Sequence, residues 1–157
     1  MYNDISLGYD EFILKFKDMI KSLGLNNSVQ REYLLKILFE SNEHLNAEEL
    51  LHRVKTTYNV NIGIATVYRI LNLLENLNIV KSISIGGQDF KVYELSLKPH
   101  HDHLVCVKCN AIVEFYDEKI EKIQELVAQE KGFLLQSHTM MLYGICKKCK
   151  EKTDENK

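Results

Sequence analysis

The chain has 157 residues, of which 45% are hydrophobic and 27% charged, a composition that is ordinary for a globular protein and argues against collagen or disorder. No stretch approaches the ~18 apolar residues of a membrane helix, and the acidic N-terminus lacks a secretion signal, so we expect a cytoplasmic protein. The net charge of −2 argues against an indiscriminate nucleic-acid binder, because such domains usually carry a basic excess.

Helices are predicted at four places: 9–23, after an N-cap at Ser28, after an N-cap at Asn46, and 64–77. Gly24 is expected to end the first helix. Ser28 is expected to cap the second helix through its side chain. Asn46 with Glu49 three positions later forms a variant of the capping box at the third helix.

A hairpin is predicted after these helices. Apolar residues alternate over 80–85 and over 90–95, and the segment 86–89 (Gly-Gly-Gln-Asp) is typical of a tight connection between strands. Helices followed by a two-stranded wing make up a winged helix-turn-helix.

A second lobe of mixed type follows Pro99, the only proline of the chain. Strands are predicted through 103–106 and 111–115, a helix over 118–130, and strand-forming sequence over 133–143. The helix is expected to turn an apolar face inward, consisting of Ile120, Ile123, Leu126 and Val127.

All four cysteines lie in two Cys-x-x-Cys pairs, Cys106 with Cys109 and Cys146 with Cys149. Each pair offers two thiolates at a spacing that suits one tetrahedral ion, and two pairs complete the four-sulfur shell that zinc fills. Such a closed shell leaves no position for a substrate, which indicates a structural role. The alternatives are two redox-active pairs or four buried thiols, but two matched pairs favour zinc.

The run His100-His101-Asp102-His103 is a second concentration of metal-binding side chains. Side chains alternate between the two faces of an extended segment, so His101 and His103 face one way while His100 and Asp102 face the other. One short segment can therefore serve two sites, and its donors suit Fe2+, Mn2+, Co2+, Ni2+ or Zn2+. The alternative is a solvated polar joint. Further potential donors favour metal binding: Glu114, Glu121 and His138.

Together these features resemble the ferric uptake regulator (Fur) family, and most of all its iron-sensing branch. The resemblance is carried by the segment Ile64-Ala-Thr-Val-Tyr-Arg-Ile-Leu71, the histidine run and the cysteine pairs. It implies an α+β fold with an N-terminal winged-helix DNA-binding domain (1–96), a hinge (97–99), a small α/β dimerisation domain with a four-cysteine zinc site (100–150) and a polar tail (151–157).

The resemblance also implies a function. We expect a metal-dependent repressor of iron-uptake and iron-homeostasis genes that binds operator DNA as a homodimer or a higher oligomer. Neither a membrane nor a small-molecule substrate is expected as a partner, and no enzymatic activity is expected.

The resemblance assigns a role to each candidate ligand. The structural Zn2+ would be held by Cys106, Cys109, Cys146 and Cys149. The regulatory ion, Fe2+ with Mn2+, Co2+ or Zn2+ as substitutes, would be held by His44, Glu94, His101, His103 and Glu114. A second metal in the dimerisation domain would be held by His100, Asp102, Glu121 and His138.

The helix over 64–77 is expected to read DNA. The resemblance implies that Tyr68 and Arg69 contact bases and backbone, since a tyrosine ring can meet thymine methyl groups and arginine can reach guanine or phosphate. The alternative is that Tyr68 is a packing residue and Arg69 a solvated charge. Thr66 and Arg31 are further candidates for phosphate contacts.

One position departs from the family. Members commonly have a lysine after the Gly-Leu that follows the first helix, and this lysine enters the minor groove, whereas the present chain has Asn26 there. Loss of one cationic contact should weaken DNA binding and reduce its salt dependence.

Alternatives remain for the signal that is sensed. The peroxide-sensing branch uses aspartates where this chain has Glu94 and Glu114, which favours iron sensing. Regulators that respond to zinc, manganese or nickel remain open, because ligand type alone does not fix the ion. An alternative of another class is a small metalloenzyme that activates water. The sequence has no His-Glu-x-x-His motif, however, and such an enzyme would leave the winged helix unexplained.

Overall fold

A computed structural model of the chain describes residues 8–85 and 90–154. The described residues form two compact units: those up to Pro99 make the N-terminal unit, and those from His100 onward make the C-terminal unit. Helices and sheets are both present, which confirms the predicted α+β class. Among the described helices, none is long and apolar enough to cross a membrane.

Four helices build the N-terminal unit. They are α1 (Tyr9–Ser22), α2 (Val29–Glu40), α3 (Ala47–Tyr58) and α4 (Ile64–Asn76). Helices α1 and α4 each end one residue before the predicted position. The apolar faces of the four helices meet in one core, in which Leu34, Leu50, Val67 and Leu71 are fully buried. This burial supplies the main stabilisation of the unit.

The helix ends follow two of the three predicted signals. Gly24 ends α1 with a φ of 70°, a left-handed conformation that glycine adopts without strain. Asn46 Oδ1 accepts a hydrogen bond from the Glu49 N–H at 2.8 Å, and the Glu49 carboxylate accepts one from the Asn46 N–H at 2.9 Å. The predicted capping box is thus confirmed. The side-chain cap predicted at Ser28 is wrong, because there only the backbone carbonyl accepts hydrogen bonds from α2.

A three-stranded antiparallel sheet completes the N-terminal unit. Strands β2 (Val80–Ser84) and β3 (Lys91–Leu95) pair as predicted, whereas the predicted turn over 86–89 lies outside the described residues. A third strand, β1 (Leu45–Asn46), was not predicted, and it pairs with the other edge of β3 to give the order β1-β3-β2. Helices followed by this hairpin confirm the predicted winged helix-turn-helix.

The C-terminal unit has its own three-stranded sheet and two helices. Its elements are β4 (Asp102–Cys106), β5 (Ile112–Phe115), α5 (Glu118–Glu130), β6 (Met141–Gly144) and α6 (Lys147–Asp154). Strand β4 lies in the centre, with β5 antiparallel on one side and β6 parallel on the other. The two edge strands, β5 and β6, are therefore both positioned by their hydrogen bonds to β4.

Two predictions for the C-terminal unit are wrong. Of the four residues predicted to face inward from α5, Ile120 is half-buried, but Ile123, Leu126 and Val127 are 59%, 56% and 50% exposed, because within one chain no layer of the described residues covers that part of the helix. The strand predicted over 133–143 is restricted to Met141–Gly144, because only these residues pair with β4.

Helix α6 extends to Asp154, into the segment predicted as a polar tail. A polar composition does not prevent a helix here, because lysine and glutamate are good helix formers. Lys147 Nζ also lies 3.9 Å from Glu151 Oε1 one turn later, a spacing that supports a helix weakly.

The capping box gives a first testable prediction. Asn46→Ala is expected to lower the free energy of unfolding by ~1 kcal/mol, because the Glu49 N–H in the first turn of α3 loses the side-chain oxygen that accepts its hydrogen bond. Urea unfolding followed by circular dichroism measures the change. Ser28→Ala is the matched control and is expected to change stability little, since Ser28 makes no side-chain cap. Equal losses in the two variants would contradict the role of the box.

Candidate metal centres and DNA-facing helix

The four cysteines converge at one end of the C-terminal sheet. Cys106 ends β4 and Cys109 follows in a turn, while Cys146 precedes α6 and Cys149 lies in its first turn. All four Sγ atoms lie within 4.8 Å of one another, and those of Cys109 and Cys146 are 3.7 Å apart. The corners of a tetrahedron with Zn–S bonds of ~2.3 Å are about 3.8 Å apart. The cluster therefore fits one zinc ion.

Hydrogen bonds prepare this cluster for a cation. The Cys146 N–H donates to Cys106 Sγ at 3.3 Å, and with the N–H groups of Cys109 and Lys108 it lowers the pKa of the Cys106 thiol to about 6. Hydrogen bonds to the Cys109 and Cys146 sulfurs raise the pKa of Cys149 to about 12. One thiol is thus favoured as thiolate while another keeps its proton. Four sulfurs this close cannot all be negative unless a cation shares the site.

A second cluster lies at the other end of β4. It consists of His100, Asp102, Glu121 and His138. Both histidine Nε2 atoms lie 3.7 Å from Asp102 Oδ1 and 3.5 Å from a Glu121 carboxylate oxygen. These separations are too long for hydrogen bonds but close to the ~3.4 Å edge of a tetrahedron with ligand bonds of ~2.1 Å.

Unsatisfied polar atoms make this second cluster a candidate cation site. Each of the four side chains has a buried atom without a hydrogen-bond partner: His100 Nε2, Asp102 Oδ2, Glu121 Oε1 and His138 Nε2. Burial of polar atoms without partners is costly, and a cation between them would satisfy all four side chains at once. The donor set of two imidazoles and two carboxylates fits a borderline divalent metal.

Backbone contacts hold the second cluster in place. The Met140 N–H donates to Asp102 Oδ1 at 3.1 Å, and the His103 N–H donates to the Met140 carbonyl at 3.1 Å. Asp102 is 1% exposed, so its carboxylate is fixed between β4 and the segment that leads into β6. His138 lies on the same segment.

His44 and Glu94 form a buried pair in the N-terminal unit. Leu45 pairs with Tyr93 across the ladder between β1 and β3, which brings the neighbouring His44 beside Glu94. His44 Nε2 is 3.4 Å from Glu94 Oε2, and the two side chains are 6% and 5% exposed. Lys98 Nζ lies 3.8 Å from the same Glu94 oxygen. Lys98 was not identified from the sequence, because it approaches Glu94 only through the turn that follows β3.

The other three predicted regulatory ligands meet in the C-terminal unit. His103 lies opposite Glu114 across the ladder between β4 and β5. His101 Nε2 is 3.7 Å from Glu114 Oε1, and the rings of His101 and His103 have centroids 4.8 Å apart. This trio lies on one face of the segment, whereas His100 and Asp102 join the second cluster.

Helix α4 exposes the predicted DNA-contacting side chains. Its apolar residues are buried in the core, while Tyr68 is 41% exposed and donates a hydrogen bond from its hydroxyl to Glu48 Oε1 at 3.3 Å. Burial raises the pKa of Tyr68, and the Glu48 carboxylate raises it further, so the hydroxyl stays protonated. Arg69 Nη2 donates to Thr66 Oγ1 at 3.1 Å. Glu48 was not identified from the sequence.

The remaining two positions named from the sequence contact each other. Arg31 Nη1 donates to the Asn26 carbonyl at 3.1 Å, which fixes the guanidinium beside the loop between α1 and α2. The Asn26 side chain takes no part in this contact.

Comparisons with known proteins agree on one family. The model of the ferric uptake regulator family matches residues 22–143. The ferric uptake regulation protein of Campylobacter jejuni subsp. jejuni is 47% identical, with 90% of both chains covered. The structure of the Helicobacter pylori ferric uptake regulator, described as having three functional metal-binding sites, has a TM-score of 0.85 at 36% identity and covers 91% of this chain and 94% of its own. The Campylobacter jejuni peroxide stress regulator has a TM-score of 0.64 at 31% identity, covering 88% and 97%.

Loss of one cysteine is expected to empty the zinc cluster. Cys106→Ser removes the sulfur that backbone N–H groups favour as thiolate and leaves an incomplete shell, so zinc content should fall far below one ion per chain. Mass spectrometry of metal content on the purified protein measures this. His138→Ala, which alters the second cluster, is the control and should keep its zinc. Full zinc occupancy in Cys106→Ser would contradict the assignment.

The second cluster is expected to bind its own divalent ion. In zinc-loaded protein, His138→Ala should lower the number of Mn2+ ions bound per chain by one, because it removes an imidazole from a four-donor set. Equilibrium dialysis with Mn2+ measures the stoichiometry. His52→Ala is the matched control, since His52 is an exposed residue of α3. An unchanged stoichiometry in His138→Ala would show that this cluster is not a metal site.

Proposed function

The chain belongs to the ferric uptake regulator family, and from this premise we propose how a divalent metal ion controls its binding to DNA. It is a metal-dependent transcriptional repressor of iron homeostasis. Members of this family are transcription regulators. We place its action in the cytoplasm, where it has access to operator DNA.

The proposal rests on the division of the regulatory ligands between the two units. His44 and Glu94 give the N-terminal unit two donors, which are too few to hold an ion alone. His101, His103 and Glu114 give the C-terminal unit three more. We propose that all five bind one ion. The imidazole and carboxylate donors suit Fe2+, with Mn2+, Co2+ or Zn2+ as substitutes.

If both units ligate the same ion, metal binding would fix the arrangement of the two units. A bound divalent ion supplies charge that neutralises the carboxylates and draws both sets of ligands together. His44 and Glu94 then tie the winged helix to the C-terminal unit, so the two α4 helices of a dimer take a fixed separation. Operator half-sites demand such a separation of about one helical turn or a multiple of it. A shift from 1:99 to 99:1 toward the tied form requires a preference of ~5.5 kcal/mol.

The two other clusters have different roles in this proposal. Cys106, Cys109, Cys146 and Cys149 hold a structural Zn2+, since four sulfurs close the shell and leave no position for exchange with a ligand. The second cluster holds a further divalent ion that ties α5 to β4, because Glu121 lies on the helix and Asp102 on the strand.

Exposed apolar side chains support a homodimer. The outer face of α5 leaves three large aliphatic residues exposed, and in the segment after it Phe133 and Leu134 are 73% and 83% exposed. Apolar patches of this kind mark protein interfaces. We propose that a second copy of the chain covers them, and that the dimer presents α4 of each subunit to DNA through Tyr68, Arg69 and Thr66. Arg31 is proposed as a phosphate contact.

Iron is the proposed signal. The chain is 47% identical to the ferric uptake regulation protein of Campylobacter jejuni but 31% identical to the peroxide regulator from the same species. Glutamates rather than aspartates also stand at positions 94 and 114. Both observations favour an iron-responsive regulator over a peroxide-responsive one.

The shared regulatory site is tested by His44→Ala. This variant should weaken metal-dependent operator binding, because the winged helix keeps only one ligand to the ion. Gel shifts at rising Mn2+ or anaerobic Fe2+ measure the response, and the metal concentration for half-maximal binding should rise at least tenfold, which corresponds to ~1.4 kcal/mol. The dimer and the zinc content should be unchanged.

His52→Ala serves as the control for His44→Ala, since it removes an exposed histidine from the same unit. It is expected to respond to metal as the parent does. If His44→Ala kept the parent's metal dependence, the two units would not be joined through this residue.

A further inference from the structure

A lysine lies against the regulatory carboxylate in the N-terminal unit. Lys98 Nζ is 3.8 Å from Glu94 Oε2, and the side chains are 24% and 5% exposed. The same oxygen faces His44 Nε2 at 3.4 Å. The oxygen that points to the histidine ligand is therefore also the oxygen that the ammonium group approaches.

A tight turn brings Lys98 back to this position. The chain reverses after β3, and the Lys98 N–H closes the turn on the Leu95 carbonyl at 3.5 Å. Glu94 is the next-to-last residue of β3, so Lys98 returns alongside it. The placement is built into the backbone at the end of the wing, and the flexible lysine stem does not have to reach across open solvent.

The lysine offsets the burial of a charge. An ionised carboxylate with 5% exposure is costly unless a counter-charge lies nearby. Lys98 supplies a positive charge within the N-terminal unit itself. A metal ion held by Glu94 Oε2 with a bond of ~2.1 Å would lie within about 6 Å of this ammonium group, and the two positive charges would repel each other.

We propose that Lys98 is an internal competitor for the regulatory metal. Its ammonium group neutralises Glu94 in the metal-free protein and is displaced from the carboxylate when a divalent ion binds. Lys98 thereby weakens metal affinity and sets the concentration at which the repressor responds. This inference rests on the proposed function, because it requires Glu94 to be a regulatory ligand.

Lys98→Gln removes the charge while keeping a polar side chain of similar length. Mn2+ affinity is measured without DNA, by competition with a chromophoric chelator, on zinc-loaded full-length protein. Both the parent and the variant also carry His138→Ala, so that the second cluster does not contribute to Mn2+ binding. Lys98→Gln is expected to bind Mn2+ about tenfold more tightly, equivalent to ~1.4 kcal/mol. In thermal unfolding the metal-free Lys98→Gln variant should melt at a lower temperature than its parent. Added Mn2+ should raise the melting temperature of the variant by more than it raises that of the parent.

Lys81→Gln is the matched control. Lys81 lies directly opposite Glu94 in the ladder between β2 and β3 but is exposed, so its removal tests the effect of general positive charge near the site. It is expected to change Mn2+ affinity less than twofold. An equal gain in both variants would overturn the specific role of Lys98.

Glu94→Gln separates this inference from the proposed function. If Glu94→Gln loses Mn2+ binding while Lys98→Gln leaves the affinity unchanged or weakens it, Lys98 is not a competitor and the regulatory site stands. If Glu94→Gln keeps the affinity of the parent, Glu94 is not a ligand, and both the shared regulatory site and the competition by Lys98 are overturned.

Discussion

The central strand of the C-terminal unit is the constraint on which the three candidate metal sites depend. Residues 100–106 contribute His100 and Asp102 to the second cluster, His101 and His103 to the proposed regulatory site, and Cys106 to the four-cysteine cluster. This is possible because side chains alternate between the two faces of an extended segment. Hydrogen bonds to strands on both sides fix the register of β4, so the donors on this strand keep fixed positions relative to one another.

Strand pairing and metal binding are therefore linked in the C-terminal unit. The Met140 backbone bonds to Asp102 at one end of the pair of parallel strands, and the Cys146 N–H bonds to Cys106 Sγ at the other. An ion at either end would stabilise the same two strands. In the N-terminal unit the shortest strand has a comparable role, because two residues of β1 are enough to seat His44 beside Glu94.

Local patterns in the sequence predicted most of the fold, and the errors have physical causes. Helical spacing and the capping box located α1, α3 and α4 closely, because these signals depend on near neighbours in the chain. The two-residue strand β1 has no periodicity to detect. The outward face of α5 could not be distinguished from an inward one, because its apolar pattern is the same whichever layer covers it. The cysteine pairs and the histidine run were found from spacing and residue type, and the resemblance to the family added His44 and Glu94. Lys98 and Glu48 were missed because their importance comes from the chain folding back on itself.

The bare apolar surface of α5 and of Phe133 and Leu134 has a consequence for timing. Dissociation of two subunits joined through such a surface would expose apolar side chains to water. Subunit exchange should therefore be slow compared with the binding and release of a metal ion. When the metal concentration rises suddenly, the metal would then bind to dimers that have already formed. The response would then not have to wait for two subunits to associate.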